Sequence, residues 1–486
     1  MHLLKDLSLP DRYERLVTRL GTEVANLLTA PSSENISALQ SLASDIYSRD
    51  EGVLVPLVGT TGIGKTTFAM NVSQWVPTEF GPTCLYEGDL TFEGLVQAVK
   101  EFSVGLPANN KKIIPINIDH RENSPPSDAE LATLKRFLRT NAAGVPALIF
   151  WPETSSEVAT KLADRYVAIA GPTAIPLPLV CKGPEKSGWV EIAKHTLSIA
   201  NRINNLEELG VDPENYKPDE FHSLGTFLRK ISQDFNRRIL DLRAELEKPV
   251  SMLIVYASES ADPGVLTQLT SPSHYGLLDS HALISVTAQS EIGKWWSHRR
   301  GLLTRTIVQL NAHALCLAPT AAASSIRNFS ESMPLFDEVG YRRYGPGRGV
   351  RDLSRSDFGK MICELSISRH ESRGTPGDEA ATAFQLLSEQ GFNLGRDKNL
   401  NKIMKTAVEK TLEASEISFI EVTSETKLPY CALIPDNAIH YEDRVLCIEY
   451  TWRKGQFLDS GNRSTVAQYA LNKLQSYARQ LGWTAD

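Results

Sequence analysis

Short apolar runs alternate with amphipathic stretches between residues 53 and 260. The apolar runs predict β-strands at 53–58, 83–86, 113–118, 147–151 and 252–257. Apolar residues at helical spacing predict helices at 65–75, 91–103, 127–141 and 155–169. Strands that alternate with helices are typical of a mainly parallel sheet with helices on both faces, so we expect an α/β fold.

The pattern changes on both sides of this α/β region. Leucines at helical intervals, interrupted by a polar break at 31–35, predict a helical segment at the start of the chain. The last hundred residues predict a helix, three strands and a final helix. The expected domains are a helical segment (1–50), an α/β core with a helical extension (51–330), a connecting region (331–395) and a C-terminal α/β domain (396–486).

Residues 341–360, within the connecting region, differ from the rest of the chain in charge. They contain six Lys or Arg and two Asp, a local net charge of 6 − 2 = +4. Glycines and a proline in the same stretch favour a mobile loop. Such a loop is either a contact for nucleic-acid phosphates or a solvated linker.

Charge and composition limit the classes of function. The 486-residue chain has 51 Lys plus Arg and 58 Asp plus Glu, a net charge of −7. This balance excludes a basic surface over the whole chain, so any contact with nucleic acid has to be local. The six cysteines include no C-x-x-C pair, which favours free thiols in a reducing compartment. Because no apolar run approaches about 18 residues, we expect a cytoplasmic protein without a membrane contact.

A glycine-rich loop, residues 59–64, follows the first predicted strand and leads into a helix. With the two residues after it, Lys65 and Thr66, the loop satisfies the motif G-x-x-x-x-G-K-[ST]. Glycines allow successive backbone N–H groups to surround phosphate oxygens, and the following helix points its positive end at the same anion. We expect Lys65 to reach the β and γ phosphates and the Thr66 hydroxyl to bind Mg²⁺. The expected nucleotide-binding residues are Gly59, Thr60, Thr61, Gly62, Ile63, Gly64, Lys65, Thr66 and Thr67.

The motif and its strand–helix context resemble the P-loop NTPases, and the form GTTGIGKTT is most similar to the STAND and AAA-type ATPases. The resemblance covers about residues 51–260 and implies ATP and Mg²⁺ as ligands. It also implies a second carboxylate near the metal, at the end of a neighbouring strand, and Asp119 matches that position. The glutamate that commonly follows this acid is replaced by His120, which leaves Glu122 or Glu153 to activate the attacking water.

The same resemblance implies two further groups at the nucleotide. A polar group at a strand end senses the γ phosphate, and the position of Glu153 fits that role. An arginine stabilises the transition-state charge, and Arg299, Arg300 and Arg305 are candidates. A basic stretch of this kind is usually only a solvated helix face.

Two acidic residues of the C-terminal domain lie at strand boundaries. Asp436 follows a proline, and Glu449 comes 449 − 436 = 13 positions later, at the end of an apolar run. Two carboxylates that a hairpin brings together can bind a divalent cation, which polarises a phosphodiester and activates water. The arrangement resembles the PD-(D/E)XK nuclease superfamily over about residues 396–486. The resemblance implies that Asp436 and Glu449 are metal ligands with a catalytic role.

This sequence departs from the nuclease pattern at the usual lysine, where it has Thr451. One interpretation is that Lys454 or Arg453 supplies the positive charge from a shifted position, which makes Lys454 a catalytic candidate. The other interpretation is that the domain has lost cleavage and only binds.

Helices on both sides of the pair carry further candidates. The family often has Gln and Tyr on the helix after the second acid, where Gln468, Gln475 and Tyr477 lie. A further acid from the first helix would be Glu409 or Glu413 by location. A glutamate on an exposed helix face is also simply a good helix former.

The two resemblances together predict an ATP-dependent nucleic-acid-processing protein. In this hypothesis an ATPase module regulates a metal-dependent nuclease-like effector that acts on DNA, as in prokaryotic anti-phage defence. A homo-oligomer or a defence-system partner protein is expected. The alternative is an ATPase switch whose terminal domain binds DNA or protein without cleaving it. A small-molecule kinase shares the glycine-rich loop but has no need of the C-terminal domain.

Overall fold

The computed structural model has an α/β fold with two β-sheets. It describes residues 3–21, 30–107, 111–119, 121, 124–140, 144–246, 248–259, 263–330, 347–364, 378–389 and 396–484. Within these ranges, no helix has both the length and the apolar character needed to cross a membrane. The cysteines, all of which fall in these ranges, form no disulfide bond.

The first sheet contains five described strands, all parallel, in the order β2-β3-β4-β1-β5. They are β1 (Val53–Val58), β2 (Cys84–Leu85), β3 (Ile114–Asn117), β4 (Ala147–Glu153) and β5 (Leu179–Val180). β1 and β4 are buried at every position, as the continuous apolar runs of the sequence predict for central parallel strands. The four strands predicted between 53 and 151 are therefore confirmed.

Helices connect these strands, as a parallel sheet requires. Those up to residue 244 are α1 (Tyr13–Leu20), α2 (Ser33–Arg49), α3 (Lys65–Met70), α4 (Val72–Trp75), α5 (Phe92–Val104), α6 (Asp128–Thr140), α7 (Ser156–Ala170), α8 (Trp189–Asn201) and α9 (Leu224–Ala244). Several of these helices have a side-chain cap at their N-terminus. The Ser32 hydroxyl accepts a hydrogen bond from a backbone N–H of α2, and the Ser155 hydroxyl accepts one from a backbone N–H of α7. The four predicted helices between 65 and 169 are confirmed, with the first one divided into α3 and α4.

The second sheet has the order β7-β6-β10-β9-β8. Its strands are β6 (Val250–Ala257), β7 (His313–Leu317), β8 (Glu421–Ser424), β9 (Asn437–His440) and β10 (Val445–Trp452). β10 pairs in parallel with β6 over eight residue pairs and antiparallel with β9. The assignment of residues 252–257 to the first sheet was therefore wrong. Because a fully buried strand has the same apolar pattern in either sheet, the sequence does not reveal its partner.

The remaining α-helices lie after residue 260. They are α10 (Gly264–Leu269), α11 (Ser280–Thr287), α12 (Glu291–Ser297), α13 (Arg300–Gln309), α14 (Pro319–Phe329), α15 (Gly347–Ser354), α16 (Asp357–Ile362), α17 (Asp378–Glu389), α18 (Arg396–Ala414) and α19 (Arg463–Gln480). The helix–strand–strand–strand–helix order predicted for the C-terminal domain is confirmed by α18, β8, β9, β10 and α19.

The prediction of a mobile loop was wrong for residues 347–360, where α15 and α16 form. Arg348 and Asp352 make an ion pair one helical turn apart, with 3.4 Å between Nε and Oδ2. The Ser356 hydroxyl then caps α16 by accepting a backbone N–H three residues on, at 3.0 Å. These local interactions outweigh the helix-breaking tendency of the glycines. Residues 341–346, the rest of the basic stretch, lie outside the described residues.

The chain divides into two compact units. The N-terminal unit consists of Ser8–Ala200 and Asp212–Phe235, and contains the first sheet. The C-terminal unit consists of Met1–Leu7, Asn201–Val211 and Asn236–Asp486, and contains the second sheet. β6 and β7 thus belong with the strands of the C-terminal hairpin.

Expressed alone, residues 396–486 should not fold. The fragment contains β8, β9 and β10 but lacks β6, so the buried strand β10 becomes an unpaired sheet edge. We expect poorly dispersed amide resonances and no slowly exchanging amides for residues 445–452, with the full chain measured in parallel. A fragment with native-like dispersion and protected amides would contradict the sheet pairing described above.

Candidate functional site

The glycine-rich loop joins β1 to α3 in the N-terminal unit. Gly62 and Gly64 have φ of +79° and +105°, a backbone region that side chains other than glycine rarely adopt. The Ile63 N–H closes the turn by donating to the Thr60 carbonyl at 3.1 Å. The two motif glycines are therefore required by the backbone conformation, and the turn ends at the first residue of α3.

Lys65 begins α3 and is almost fully buried. Its Nζ donates to the Gly59 carbonyl at 2.9 Å and to the Thr154 hydroxyl at 3.0 Å. Thr154 directly follows β4, which is the neighbour of β1 in the sheet. Sequence reasoning missed Thr154, because a single threonine after a strand belongs to no motif; its one signal was that it follows a strand of the parallel sheet.

Thr66 and Asp119, both predicted near Mg²⁺, lie in direct contact. The Thr66 hydroxyl donates to Oδ2 of Asp119 at 2.7 Å. Asp119 lies two residues beyond β3, and the Asn117 side-chain amide also donates to its Oδ2, at 3.4 Å. Hydroxyl and carboxylate oxygens are the hard donors that Mg²⁺ prefers. His120 and Glu122, the other candidates of this segment, lie outside the described residues.

Glu153 is the last residue of β4 and is fully buried. Its Oε1 accepts the backbone N–H of Thr154 at 2.8 Å and that of Ser155 at 3.1 Å. These bonds fix the turn from β4 into α7, and they hold Thr154 beside Lys65. Glu153 therefore has the contacts of a residue that orders the turn, and its predicted roles with water and the γ phosphate stay predictions.

The three candidate arginines belong to the C-terminal unit, and two of them have local contacts. The Arg299 guanidinium lies 4.4 Å from the centre of the Trp295 ring. Arg305 forms an ion pair with Glu245. Burial raises the pKa of Glu208, and the positive charge of Arg300 opposes this rise. A role for any of them at the nucleotide stays a prediction.

The C-terminal unit brings the two acids of the hairpin toward a common lysine. Glu449 lies in β10 and is buried; Tyr477 donates its hydroxyl to Oε1 at 2.6 Å, and the Lys473 ammonium donates to Oε2. Oδ2 of Asp436 accepts the Tyr450 N–H at 2.7 Å. Tyr477 was a candidate from the sequence, and Lys473 was not. Its signal was the four-residue spacing from Tyr477, which places both residues on one face of α19.

Electrostatics shows that the two carboxylates and the ammonium influence one another. Burial, and then the negative charge of Glu449, raise the pKa of Asp436 to about 7. Burial by itself would lower the pKa of Lys473, but Glu449, Tyr469 and Asp436 outweigh it, and the pKa is raised. Lys473 is therefore held in its charged form and offsets the buried negative charge.

Lys454 and Arg453 follow β10. Lys454 is exposed. The ammonium group that contacts Glu449 in the described structure belongs to Lys473 of α19 instead. Arg453 donates from Nε to the Thr451 hydroxyl at 2.9 Å. Thr451, at the position of the family lysine, is thus itself an acceptor for a neighbouring cation.

The other C-terminal candidates make local contacts. Glu409 and Glu413 pair with lysines of their own helix, at 3.2 Å from Lys405 and 2.7 Å from Lys410. The Gln468 amide donates to a serine one turn earlier at 3.1 Å, and Gln475 is half-buried. Across the described part of the chain, no cluster of three His, Cys, Asp or Glu side chains is arranged to hold a metal ion.

Comparison with known protein families, with curated proteins and with solved structures finds no match to this chain.

Replacing Glu153 with alanine should lower the free energy of unfolding by about 1–3 kcal/mol, because two backbone N–H groups lose a buried acceptor. Glu157→Ala is the matched control: this glutamate is exposed in the first turn of α7, and its replacement should leave the free energy of unfolding close to that of the wild type. Urea titration of both variants measures the difference. Wild-type stability of Glu153→Ala would show that the carboxylate does not hold the turn.

Proposed function

We propose that this chain is an ATPase of the P-loop class, similar to the STAND and AAA-type enzymes, whose C-terminal unit acts on nucleic acid. The observation that supports it best is the convergence of three motif positions. Lys65 turns back over the glycine-rich loop, and Thr66 contacts Asp119, which comes from a different strand. A glycine-rich turn with only a structural role has no use for a buried ammonium and an adjacent hydroxyl–carboxylate pair.

The residues fit a magnesium-bound nucleoside triphosphate. Gly62 and Gly64 have the backbone conformation of a phosphate-binding turn, and Thr66 and Asp119 would hold Mg²⁺ with oxygen donors. Mg²⁺, when bound, neutralises negative charge on the β and γ phosphates. The chain's own contribution is to present N–H groups, an ammonium and two oxygen ligands on one edge of the sheet.

Lys65 would exchange partners on binding. Two of the hydrogen bonds that its ammonium now makes go to neutral acceptors, the Gly59 carbonyl and the Thr154 hydroxyl. Hydrogen bonds from an ammonium to phosphate oxygens are charge-assisted and roughly twice as strong as neutral ones. Exchanging these two bonds for bonds to phosphate oxygens favours the triphosphate, and it releases the Thr154 hydroxyl beside the same ligand. The released Thr154 hydroxyl would contact the γ phosphate of the bound nucleotide. Because Glu153 orders the turn that carries Thr154, this contact would link the presence of the γ phosphate to the turn.

For the C-terminal unit, we propose a nuclease-like module of a prokaryotic defence system, with DNA as its ligand. Asp436 and Glu449 lie close enough for the charge of one to raise the pKa of the other, and Lys473 supplies a cation where Thr451 supplies none. In the cleaving form of the hypothesis, Lys473 would stabilise negative charge on the scissile phosphate. This role replaces the one that the sequence suggested for Lys454.

The residues fit a catalytic metal incompletely. Both oxygens of Glu449 are acceptors for Lys473 and Tyr477, and one oxygen of Asp436 is an acceptor for a backbone N–H. No third metal-ligating side chain joins them within the described residues. This observation favours the second candidate, a module that binds DNA or protein without cleaving it.

Lys65→Ala should abolish the thermal stabilisation that ATP and Mg²⁺ give to the protein, and ATP hydrolysis with it. At a nucleotide concentration 100 times Kd, the wild type should gain about 2.7 kcal/mol of apparent stability. Lys161→Ala, an exposed lysine of α7, is the matched control and should respond as the wild type does. Equal stabilisation of the Lys65→Ala variant would refute nucleotide binding at the loop.

Three variants, tested on labelled DNA with Mg²⁺ or Mn²⁺, distinguish a module that cleaves DNA from one that only binds it. If the module cleaves, Glu449→Gln and Lys473→Gln should each reduce cleavage at least about 100-fold, by analogy with losing an electrostatic catalytic group. Glu442→Gln, at an exposed glutamate between β9 and β10, should retain full activity. Intact DNA with the wild type, together with a mobility shift, would refute cleavage and establish the binding form.

A further inference from the structure

The first turn of α9 packs against the glycine-rich loop within the N-terminal unit. Ser223, the residue before α9, donates its hydroxyl to the Thr61 carbonyl at 3.1 Å. Gly225, the second residue of α9, donates its N–H to the Gly62 carbonyl at 2.9 Å. Two successive carbonyl groups of the loop are therefore held by a segment that lies about 160 residues further along the chain.

The Ser223 hydroxyl donates its proton to the Thr61 carbonyl and not to another acceptor. The nearest other acceptor is the Thr226 hydroxyl, at 3.3 Å, compared with 3.1 Å for the Thr61 carbonyl. The Thr226 hydroxyl already accepts the Ser223 N–H and donates to the Ser223 carbonyl at 2.7 Å. Ser223 is also almost fully buried, so water does not compete for the proton.

Position 225 needs a residue without a side chain. A Cβ placed there would lie 2.8 Å from Gly62 Cα and 2.9 Å from the Gly62 carbonyl oxygen. Both atoms are backbone, so a larger residue would push the loop out of its conformation. The glycine thus allows α9 to approach the loop closely enough for the N–H bond to form.

The start of α9 is fixed by an aromatic cluster. Phe227, one turn into the helix, is fully buried and contacts three aromatic rings. Its ring centre lies 5.3 Å from that of Phe221, 5.8 Å from that of Trp189 and 6.5 Å from that of Tyr216. The two donors are therefore presented to the loop by a well-packed element.

A hydrogen bond that fixes the direction of a backbone carbonyl also fixes the direction of the N–H in the same peptide unit. In a trans peptide the C=O and N–H point in opposite directions. The Thr61 carbonyl points at Ser223, so the Gly62 N–H points away from α9. The Gly62 carbonyl points at Gly225, so the Ile63 N–H points the other way and closes the turn onto Thr60. Both peptide planes of the tip are thereby fixed.

We propose that Ser223 and Gly225 are positioning residues for nucleotide binding: they hold the glycine-rich loop in its phosphate-binding conformation before the ligand arrives. The proposal rests on the function proposed above for this loop. A preorganised loop binds more tightly because it loses less conformational entropy on binding. Ser223 and Gly225 do not touch the phosphates in this proposal, and they act through the peptide planes of residues 61–63.

The test measures the Kd of ATP with Mg²⁺ by calorimetry for matched pairs of variants. Ser223→Ala should raise Kd about three- to tenfold, the equivalent of one net hydrogen bond. Ser232→Ala removes a serine-to-carbonyl bond of the same kind elsewhere on α9, where the Ser232 hydroxyl donates to Leu9 at 2.7 Å. Ser32→Ala removes the cap of another helix in the same unit. Both controls should keep the wild-type Kd even where they lower the melting temperature.

A pair of glycine variants tests whether the close approach of α9 to the glycine-rich loop is needed. Gly225→Ala should raise Kd by a larger factor than Ser223→Ala, because the loop backbone has to move. Gly188→Ala is its control, since a Cβ there meets no atom within 4 Å. Its Kd should equal that of the wild type.

The outcomes distinguish this proposal from the one on which it rests. If the wild type binds ATP and Lys65→Ala does not, but Ser223→Ala and Gly225→Ala keep the wild-type Kd, the positioning role is refuted and the ATPase proposal stands. If the wild type itself binds no nucleotide, both proposals are overturned. If the controls Ser232→Ala and Ser32→Ala raise Kd as much as Ser223→Ala does, the rise reflects general destabilisation. This outcome also refutes the positioning role.

Discussion

The candidate nucleotide site depends on the parallel pairing of β1 with β4 and of β4 with β3. Parallel strands end at the same edge of a sheet, so residues that follow them come together although they are far apart in sequence. Lys65 and Thr66 follow β1 through the loop, Asp119 follows β3, and Thr154 follows β4. The contacts of Lys65 with Thr154 and of Thr66 with Asp119 span this edge. A change that shifts the register of β4 against β1 would break the contact of Lys65 with Thr154.

The C-terminal unit follows a different constraint, the cost of burying charge. Glu449 is buried in the centre of a sheet, and an isolated carboxylate in that position would be strongly destabilising. Lys473 and Tyr477 satisfy both of its oxygens from one helix face. The same compensation limits the chemistry, because a metal would have to displace these donors. Structural stability and metal binding thus compete for Glu449.

How much the sequence predicts depends on whether the signal is local. The glycine-rich turn between β1 and α3 could be predicted from the sequence, because its glycines and the following lysine and threonine form a local motif. The proximity of Thr66 and Asp119 was expected from the resemblance to the P-loop NTPases, because Asp119 ends a neighbouring predicted strand. Lys473 was missed because it lies 24 residues after Glu449, and only the packing of α19 brings them together. The partner of β6 was wrong for a related reason: burial fixes the apolar pattern of a strand but does not identify its neighbour.

The most direct test is a crystal structure of the full chain with Mg²⁺ and a non-hydrolysable ATP analogue. We expect the triphosphate in the glycine-rich loop, with Lys65 Nζ moved from the Gly59 carbonyl to phosphate oxygens. We also expect Mg²⁺ bound by the Thr66 hydroxyl, with Asp119 beside it. A nucleotide bound elsewhere, with Lys65 still donating to Gly59 and Thr154, would contradict the account.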